Sequence, residues 1–285
     1  MDLMWLPSDL RAQLRAAFGD AEVVVLHSAP RAIGWVAGGV EAIARAVLDV
    51  CEDRTLVVPT FTVGRMDPST WTEPPVPEAS WEAIRAELPI YDPEWSPPHA
   101  MGRIAELVWR ARGAVRSSHP VESVAAIGPR AAEIVRPHPI EDPMGPRSPW
   151  ARLHALDARV VMLGVGLERC SLLHHAERMA EVPYVEAAAY GVPVVIDGER
   201  RWIEAESGNN CSEGFPRLEP SLRKAGLVTD ATVGDARAMT LSARALVDHA
   251  RAAIAADAAA LLCERRGCVA CGEARRVLGA CSGKG

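Results

Sequence analysis

The run GlyValGlyLeuGluArgCysSerLeuLeuHisHisAlaGlu, residues 164–177, carries the residue types best suited to acid–base chemistry in this chain. It follows an apolar strand-like run ending at Leu163, so His174, His175 and Glu177 sit where a strand gives way to a helix. α/β proteins gather reactive groups at such junctions. A neutral imidazole takes up a proton near neutral pH when a carboxylate fixes its tautomer and offsets the charge it gains. Glu122, in the polar run Arg116–Ser123, is the candidate partner for His174. Adjacent histidines on a helix diverge by about 100°, so one can face a cleft while the other packs. The spacing is not that of the HisGluXaaXaaHis zinc hydrolases. A packed structural histidine is the competing reading for each, and His119, before Pro120, can equally well support a turn.

Three further constellations have chemical content. CysValAlaCys at 268–271, with Cys263 just before it and Cys211 in a polar loop, offers four thiolates for one tetrahedral zinc. Cys281 is a spare, and a redox role for the CysXaaXaaCys pair is the rival. HisSerAlaProArgAlaIleGly, residues 27–34, opens from a strand onto GlyGly and a helix, where backbone amides can cradle a phosphate. It fits neither the Walker nor the dinucleotide spacing, so on the motif alone an ordinary strand-to-helix turn is the favoured reading. Asp67, Glu73, Glu78, Asp92 and Glu94 interleave with Trp71, Trp81, Tyr91 and Trp95. They describe either an anionic, aromatic-walled groove for a polycation or a solvated loop anchored by tryptophans.

The elements that must position these residues follow from periodicity. A helix capped by Ser8 ends near Gly19; strands are expected at 22–27 and 55–59, joined by a helix after Gly38 and Gly39 as a right-handed parallel crossover. Residues 65–98 form a long Pro- and Trp-rich loop region of the kind that usually serves function. A helix at 102–112, a strand at 124–127, a helix capped by Ser148 and a strand at 159–163 come next. After the histidine helix we expect two apolar strands split by Gly191, a polar loop at 207–213, and an alanine-rich helix at 241–256.

The chain has 285 residues, enough for one large domain, with 49% hydrophobic and 24% charged residues. A net charge of −6 argues against a nucleic-acid partner and favours cationic ones. No basic start followed by an apolar segment and no membrane-spanning run are found, so a cytoplasmic protein with no membrane partner is expected. Clustered thiols in a reducing compartment point to metal more than to disulfides.

Joined in order, the segments HisSer…GlyGly, AspProSerXaaTrp…ProProValProGlu, TyrAspPro…MetGlyXaaIleAlaGlu, ArgSerXaaHisProXaaXaaSer and GlyValGly…LeuHisXaaAlaGlu resemble the aminoglycoside 3-N-acetyltransferases. The resemblance covers roughly residues 8–260. The AsnAsnCysSerGluGlyPhe loop from Asn209 and the tail from Gly267 are similar to the apramycin- and gentamicin-acetylating subgroup. The resemblance implies an α/β fold with αβα layers around a mixed sheet and a smaller subdomain, spanning 1–260, with a cysteine-rich tail, 261–285, packed on the 207–215 loop. This is not the common acetyltransferase fold, whose (Gln/Arg)XaaXaaGlyXaa(Gly/Ala) signature is absent: the run from Arg31 approaches it and fails at Val36. It further implies 3-N-acetylation of aminoglycosides by acetyl-CoA, conferring antibiotic resistance, by a monomer or homodimer. His174 would be the base and Glu122 its orienting carboxylate. His27, Ser28, Ala29, Arg31, Ala32, Ile33, Gly34, Ser117 and Ser171 would line the coenzyme site, and Asp67, Glu177 and Glu204 would face the drug beside Trp71 and Asp92. A structural zinc on Cys211, Cys263, Cys268 and Cys271 completes the reading. Its rivals are an acetyltransferase for another amine and a non-catalytic zinc-bearing binding protein.

Overall fold

The structure, a computed structural model, describes residues 4–71, 74–186, 189–206 and 211–282. Helix α1 (Pro7–Phe18) leads into strand β1 (Val23–Ser28), helix α2 (Gly39–Val50) and strand β2 (Thr55–Pro59). Strands β1 and β2 pair in parallel, as the crossover requires. Helix α3 (Trp81–Glu87) interrupts the long loop region, and α4 (Arg103–Trp109), β3 (Val115–Arg116), β4 (Val124–Ile127), α5 (Ala131–Val135), α6 (Pro149–Ala155) and β5 (Arg159–Leu163) follow. Helix α7 (Leu172–Met179) carries the histidines. The hairpin β6 (Ala189–Ile196) and β7 (Glu199–Glu206), helix α8 (Glu219–Lys224), strands β8 (Thr229–Val233) and β9 (Ala236–Ser242), and helices α9 (Ala243–Ala256) and α10 (Val269–Ser282) complete the chain.

Seven strands form one mixed sheet in the order β3-β4-β2-β1-β5-β9-β8, in which β2, β1 and β5 run parallel and each of the four outer strands pairs antiparallel with its inner neighbour. The central strands are unbroken Val/Leu/Met runs because both faces are covered. Alternate residues serve opposite layers. Val24, Leu26, Leu56, Val58, Val161 and Leu163 pack with Leu10, Leu14, Ile43, Val47, Ile104 and Val108 of α1, α2 and α4. Val23, Val25, Val57, Val160 and Met162 pack against Trp150, Leu153, Leu172, Leu173, Leu246 and Val247 of α6, α7 and α9. Each such buried aliphatic side chain contributes about 1.5–3 kcal/mol. The β6–β7 hairpin stands apart with a small core of Val121, Tyr190 and Val192, packed on Val63, Met66, Ile140 and Ile203.

Several expectations need correction. Helix α1 starts at Pro7, and Asp9 accepts from the Leu6 N–H, so Ser8 is not its cap. One continuous strand, β6, runs through Gly191, and its partner is the polar β7, because the turn falls at Asp197–Gly198. The β8–β9 hairpin and α10 are unforeseen: β8 is mostly exposed and lacks an apolar run. The polar loop at 207–213 lies partly outside the described residues. Among the described residues, no helix is long and apolar enough to cross a membrane.

Burial sets the response to pH. His27, His119 and His175 are pulled from 6.5 down to about 4 by burial, and His138 falls well below its usual value for the same reason. Between pH 6.5 and 4 the unfolded chain therefore binds protons that the folded chain refuses, and stability falls as pH drops through that window. Burial raises Glu122 to about 7 and also raises Glu177, so these two favour the folded state on acidification. Four histidines outweigh two carboxylates. The melting temperature should fall by several degrees from pH 7 to pH 5; a flat or rising curve would contradict the buried-neutral assignment of the histidines.

Candidate active site

The connection from β1 to β2 leaves on one side of β1, and the chain after β5 goes to the other, so the C-terminal ends of β1 and β5 flank the switch point of the sheet, where α/β proteins bind ligands. The loop after β1 closes over it. The Ala29 N–H donates to the Leu163 carbonyl at 2.9 Å, and the residues from Pro30 to Ile33 form a 3-10 turn. Gly164, at φ +68°, makes the close approach possible: a Cβ there would lie 2.5 Å from that of Ala32. Arg31 and Gly34 are exposed, and Ser28, Ala29, Ala32 and Ser171 half-buried, so these six can face a ligand. Ile33, fully buried, belongs to the core instead. His27 is buried with Nε2 unpartnered, one of three such side-chain atoms among the described residues, with Glu122 Oε2 and Trp150 Nε1.

Ser117 does not line this crevice. It is fully buried; its hydroxyl accepts from the Val124 N–H at 3.0 Å and donates to His138 Nδ1 at 2.9 Å, while His138 Nε2–H donates to the Pro143 carbonyl at 3.0 Å. His119 is also internal. Its Nδ1 accepts from the backbone N–H groups of Val121 and Glu122 at 3.2 and 2.8 Å, which holds the turn that delivers Glu122 to this end of the sheet.

Helix α7 starts after Ser171, on the loop that follows β5, and aims His174 and Glu177 to one face by their three-residue spacing. The carboxylate on His174 is Glu177, not Glu122. His174 Nδ1–H donates to Glu177 Oε2 at 2.9 Å, and the Tyr184 hydroxyl donates to Glu177 Oε1 at 3.1 Å. Glu177 is 1% exposed and both its oxygens are taken by His174 and Tyr184, which removes it from the set facing a drug. The His174 ring rests edge-on against Phe215, with centroids 4.7 Å apart. Glu122 lies near enough for the charge of His174 to favour its ionised form, but burial dominates and lifts it to about 7; its Oε1 accepts from Tyr190 at 3.4 Å. His175 faces the interior: Nδ1–H donates to the Met144 carbonyl at 2.6 Å, and Nε2 lies 3.4 Å from His154 Nδ1.

A sequence-family model described as Aminoglycoside 3-N-acetyltransferase matches residues 25–255. The chain belongs to this family. Aminoglycoside N(3)-acetyltransferase VII of Streptomyces paromomycinus is 40% identical over 244 residues, covering 81% of this chain and 84% of that protein. The crystal structure of YokD from Bacillus subtilis superposes with a TM-score of 0.83 at 30% identity, covering 88% of this chain and 93% of that one. AAC(3)-IVa superposes at 0.82 with 28% identity and covers 97% of this chain and 99% of its own. That enzyme has also been solved, as a mutant, in complex with a gentamicin.

In this acetyltransferase Asp67 and Glu204 meet at the hairpin. The Asp67 N–H donates to the Gly191 carbonyl at 2.8 Å, and Gly191 pairs with Glu204, which is exposed, so Asp67 and Glu204 flank one position. Asp67 is engaged: Arg85 donates to both its oxygens at 2.7 and 3.0 Å, and those bonds hold its carboxyl at about 2. Asp92 Oδ1 accepts from the N–H groups of Glu94 and Trp95, fixing its own turn, and Trp71 Nε1–H donates to the Met66 carbonyl. Glu73 lies outside the described residues. Asp142, ion-paired with Arg178 at 2.9 Å, raises Glu122 electrostatically; it and Tyr190 are site neighbours that no sequence motif flagged.

The cysteine tail lies beyond the family match. The sulfurs of Cys211, Cys263, Cys268 and Cys271 all fall within 4.8 Å of one another, the span of a tetrahedral thiolate site. The Cys263 N–H donates to Cys271 Sγ at 3.3 Å, and a backbone N–H at the helix start pulls the Cys268 thiol down to about 7. Both suit thiolate formation, whereas burial pushes the Cys211 thiol up.

Replacing Gly164 by alanine should open the contact between the β1 loop and β5. We expect acetyl-CoA affinity, measured by calorimetry, to weaken at least tenfold with the fold retained; unchanged affinity would remove this crevice from the coenzyme site.

Proposed function

We propose that the protein transfers the acetyl group of acetyl-CoA to the 3-amine of 2-deoxystreptamine aminoglycosides, a reaction that confers resistance to them, in a reducing cytoplasm. The observation that carries the chemistry is the His174–Glu177 pair. With Nδ1–H directed to a buried carboxylate, the remaining nitrogen, Nε2, is the basic one. It takes the proton from the substrate ammonium, and the free amine attacks the thioester carbonyl. The tetrahedral intermediate gives up its remaining ammonium proton to solvent and expels the coenzyme A thiolate, to which the imidazolium returns the first proton. General-base help of this kind is worth about 10²–10⁴ in rate.

Glu122 suits a different task. Its Oε2 is buried without a partner and its carboxyl is raised to about 7. An arriving ammonium would pair with it and favour its charged form. Asp67 and Glu204, with Asp92 and Trp71 nearby in sequence on the long loop region, would hold the remaining cationic groups of the drug. Ser28, Ala29, Arg31, Ala32, Gly34 and Ser171 would meet acetyl-CoA, the backbone amides of the loop being the candidate donors to the oxyanion.

Cys211, Cys263, Cys268 and Cys271 would hold one structural zinc. Four thiolates fit it, leave no open coordination position and so supply stability, not chemistry.

His174→Ala should reduce kcat about a hundredfold or more, while the folded fraction of His175→Ala keeps most of it. NMR of the product should place the new acetyl group on the 3-amine. Acetylation of a sugar amine, or equal behaviour of the two histidine variants, contradicts the proposal. Protein purified without a metal-affinity step should carry close to one equivalent of zinc, and a chelator should lower its melting temperature; a metal-free protein with four titratable thiols there would exclude the metal.

A further inference from the structure

Among the described residues, two side chains that touch the His174–Glu177 pair are carried by segments that the cysteine cluster ties together. Tyr184, 2% exposed, sits on the 3-10 turn Pro183–Glu186, which packs against α10, the helix that begins just after Cys268 and carries Cys271. Its hydroxyl donates to Glu177 Oε1, the oxygen that His174 leaves free. Phe215, fully buried, follows Cys211 by four residues and bears on the imidazole ring. Its segment is fastened on both sides. Gly214 lies so close to the chain at 261–263 that a Cβ would come within 2.7 Å of the Cys263 nitrogen. Arg217 Nη1 donates to the Leu262 carbonyl at 3.1 Å, and the Ser212 hydroxyl donates to the Glu168 carbonyl at 2.7 Å. Arg275 of α10 closes the loop by donating to the Cys263 carbonyl at 2.7 Å. The four thiols therefore stand where the Phe215 segment, residues 261–263 and α10 meet.

We infer that Tyr184 and Phe215 are positioning residues for the base, and that the closed four-cysteine cluster holds both in register, so that turnover depends on the cluster while coenzyme binding does not. The physical argument is one of orientation. A buried carboxylate with an unsatisfied oxygen turns to seek a donor, and an imidazole with no wall behind it samples other rotamers; either motion moves Nε2 off the line to the amine. The coenzyme loop takes its support from β5 and Gly164 instead. This inference rests on the reading of His174 as the base.

The test uses the protein as purified, with Tyr184→Phe and Cys268→Ser. Tyr184→Phe keeps the ring and removes only the donor; Cys268 is half-buried, so its serine variant disturbs packing least. Each should lower kcat about five- to tenfold, with KM for both substrates and the calorimetric acetyl-CoA affinity within about twofold of wild type. The imidazole ¹⁵N shifts of His174, assigned with His174→Gln, should move in both variants. Adding Tyr184→Phe to Cys268→Ser should cost little more, since both release the same support. Wild-type kcat and ¹⁵N shifts in Tyr184→Phe overturn the positioning role. A change there with none in Cys268→Ser overturns the coupling to the cluster, as does a loss confined to KM or coenzyme affinity. Full activity in His174→Ala would instead show that the assignment of the base has failed.

Discussion

Taking a carboxylate out of water is costly unless donors meet both oxygens, and Glu177 meets that demand with His174 Nδ1–H on one side and the Tyr184 hydroxyl on the other. Much of the rest follows from this arrangement. The three-residue spacing on α7 fixes which histidine can reach the acid, and burial keeps the neighbour, His175, neutral and bound to the Met144 carbonyl. The Nδ1–H bond to Glu177 leaves Nε2 of His174 as the basic nitrogen. Two adjacent, chemically identical side chains thus receive different roles from their angle on the helix alone.

The sheet supplies the place. Three parallel strands end together, the chain parts to opposite sides between β1 and β5, and Gly164 lets the loop after β1 lie against β5. From the other side β4 enters antiparallel beside β2, so Glu122, just before it, arrives at the same end of the sheet. The β6–β7 hairpin roofs this region through Tyr190, whose hydroxyl reaches Glu122, and through Gly191, where Asp67 and Glu204 meet. In the proposed function the loop after β1 serves the coenzyme and the hairpin serves the polycation.

The central strands and crossover helices were legible because buried parallel strands are continuous apolar runs and amphipathic helices keep a 3.6-residue period. The cysteine quartet was legible from residue type and spacing, whereas the choice of His174 over His175 came from the family resemblance. The pairing of the base was not. Glu122 and Glu177 are both near His174, and sequence order carries no information about which oxygen an imidazole nitrogen will reach; the short-range i,i+3 contact was the available cue. Ser117 and Ile33 were misplaced for a related reason, since a motif shared with a coenzyme site does not say whether a side chain faces the ligand or braces the loop. The polar strand β7 and the edge strand β8 were hidden because neither has an apolar face long enough to show a period.

The central claim, that Glu177 orients the base while Glu122 meets the substrate, is tested most directly by comparing single-turnover acetyl transfer in Glu177→Gln and Glu122→Gln at saturating acetyl-CoA and aminoglycoside. An amide at 177 can no longer accept reliably from Nδ1–H, so the transfer rate should fall by about a hundredfold or more with little change in aminoglycoside affinity. An amide at 122 should act chiefly by weakening the aminoglycoside. A normal transfer rate in Glu177→Gln together with a collapsed one in Glu122→Gln would contradict the account.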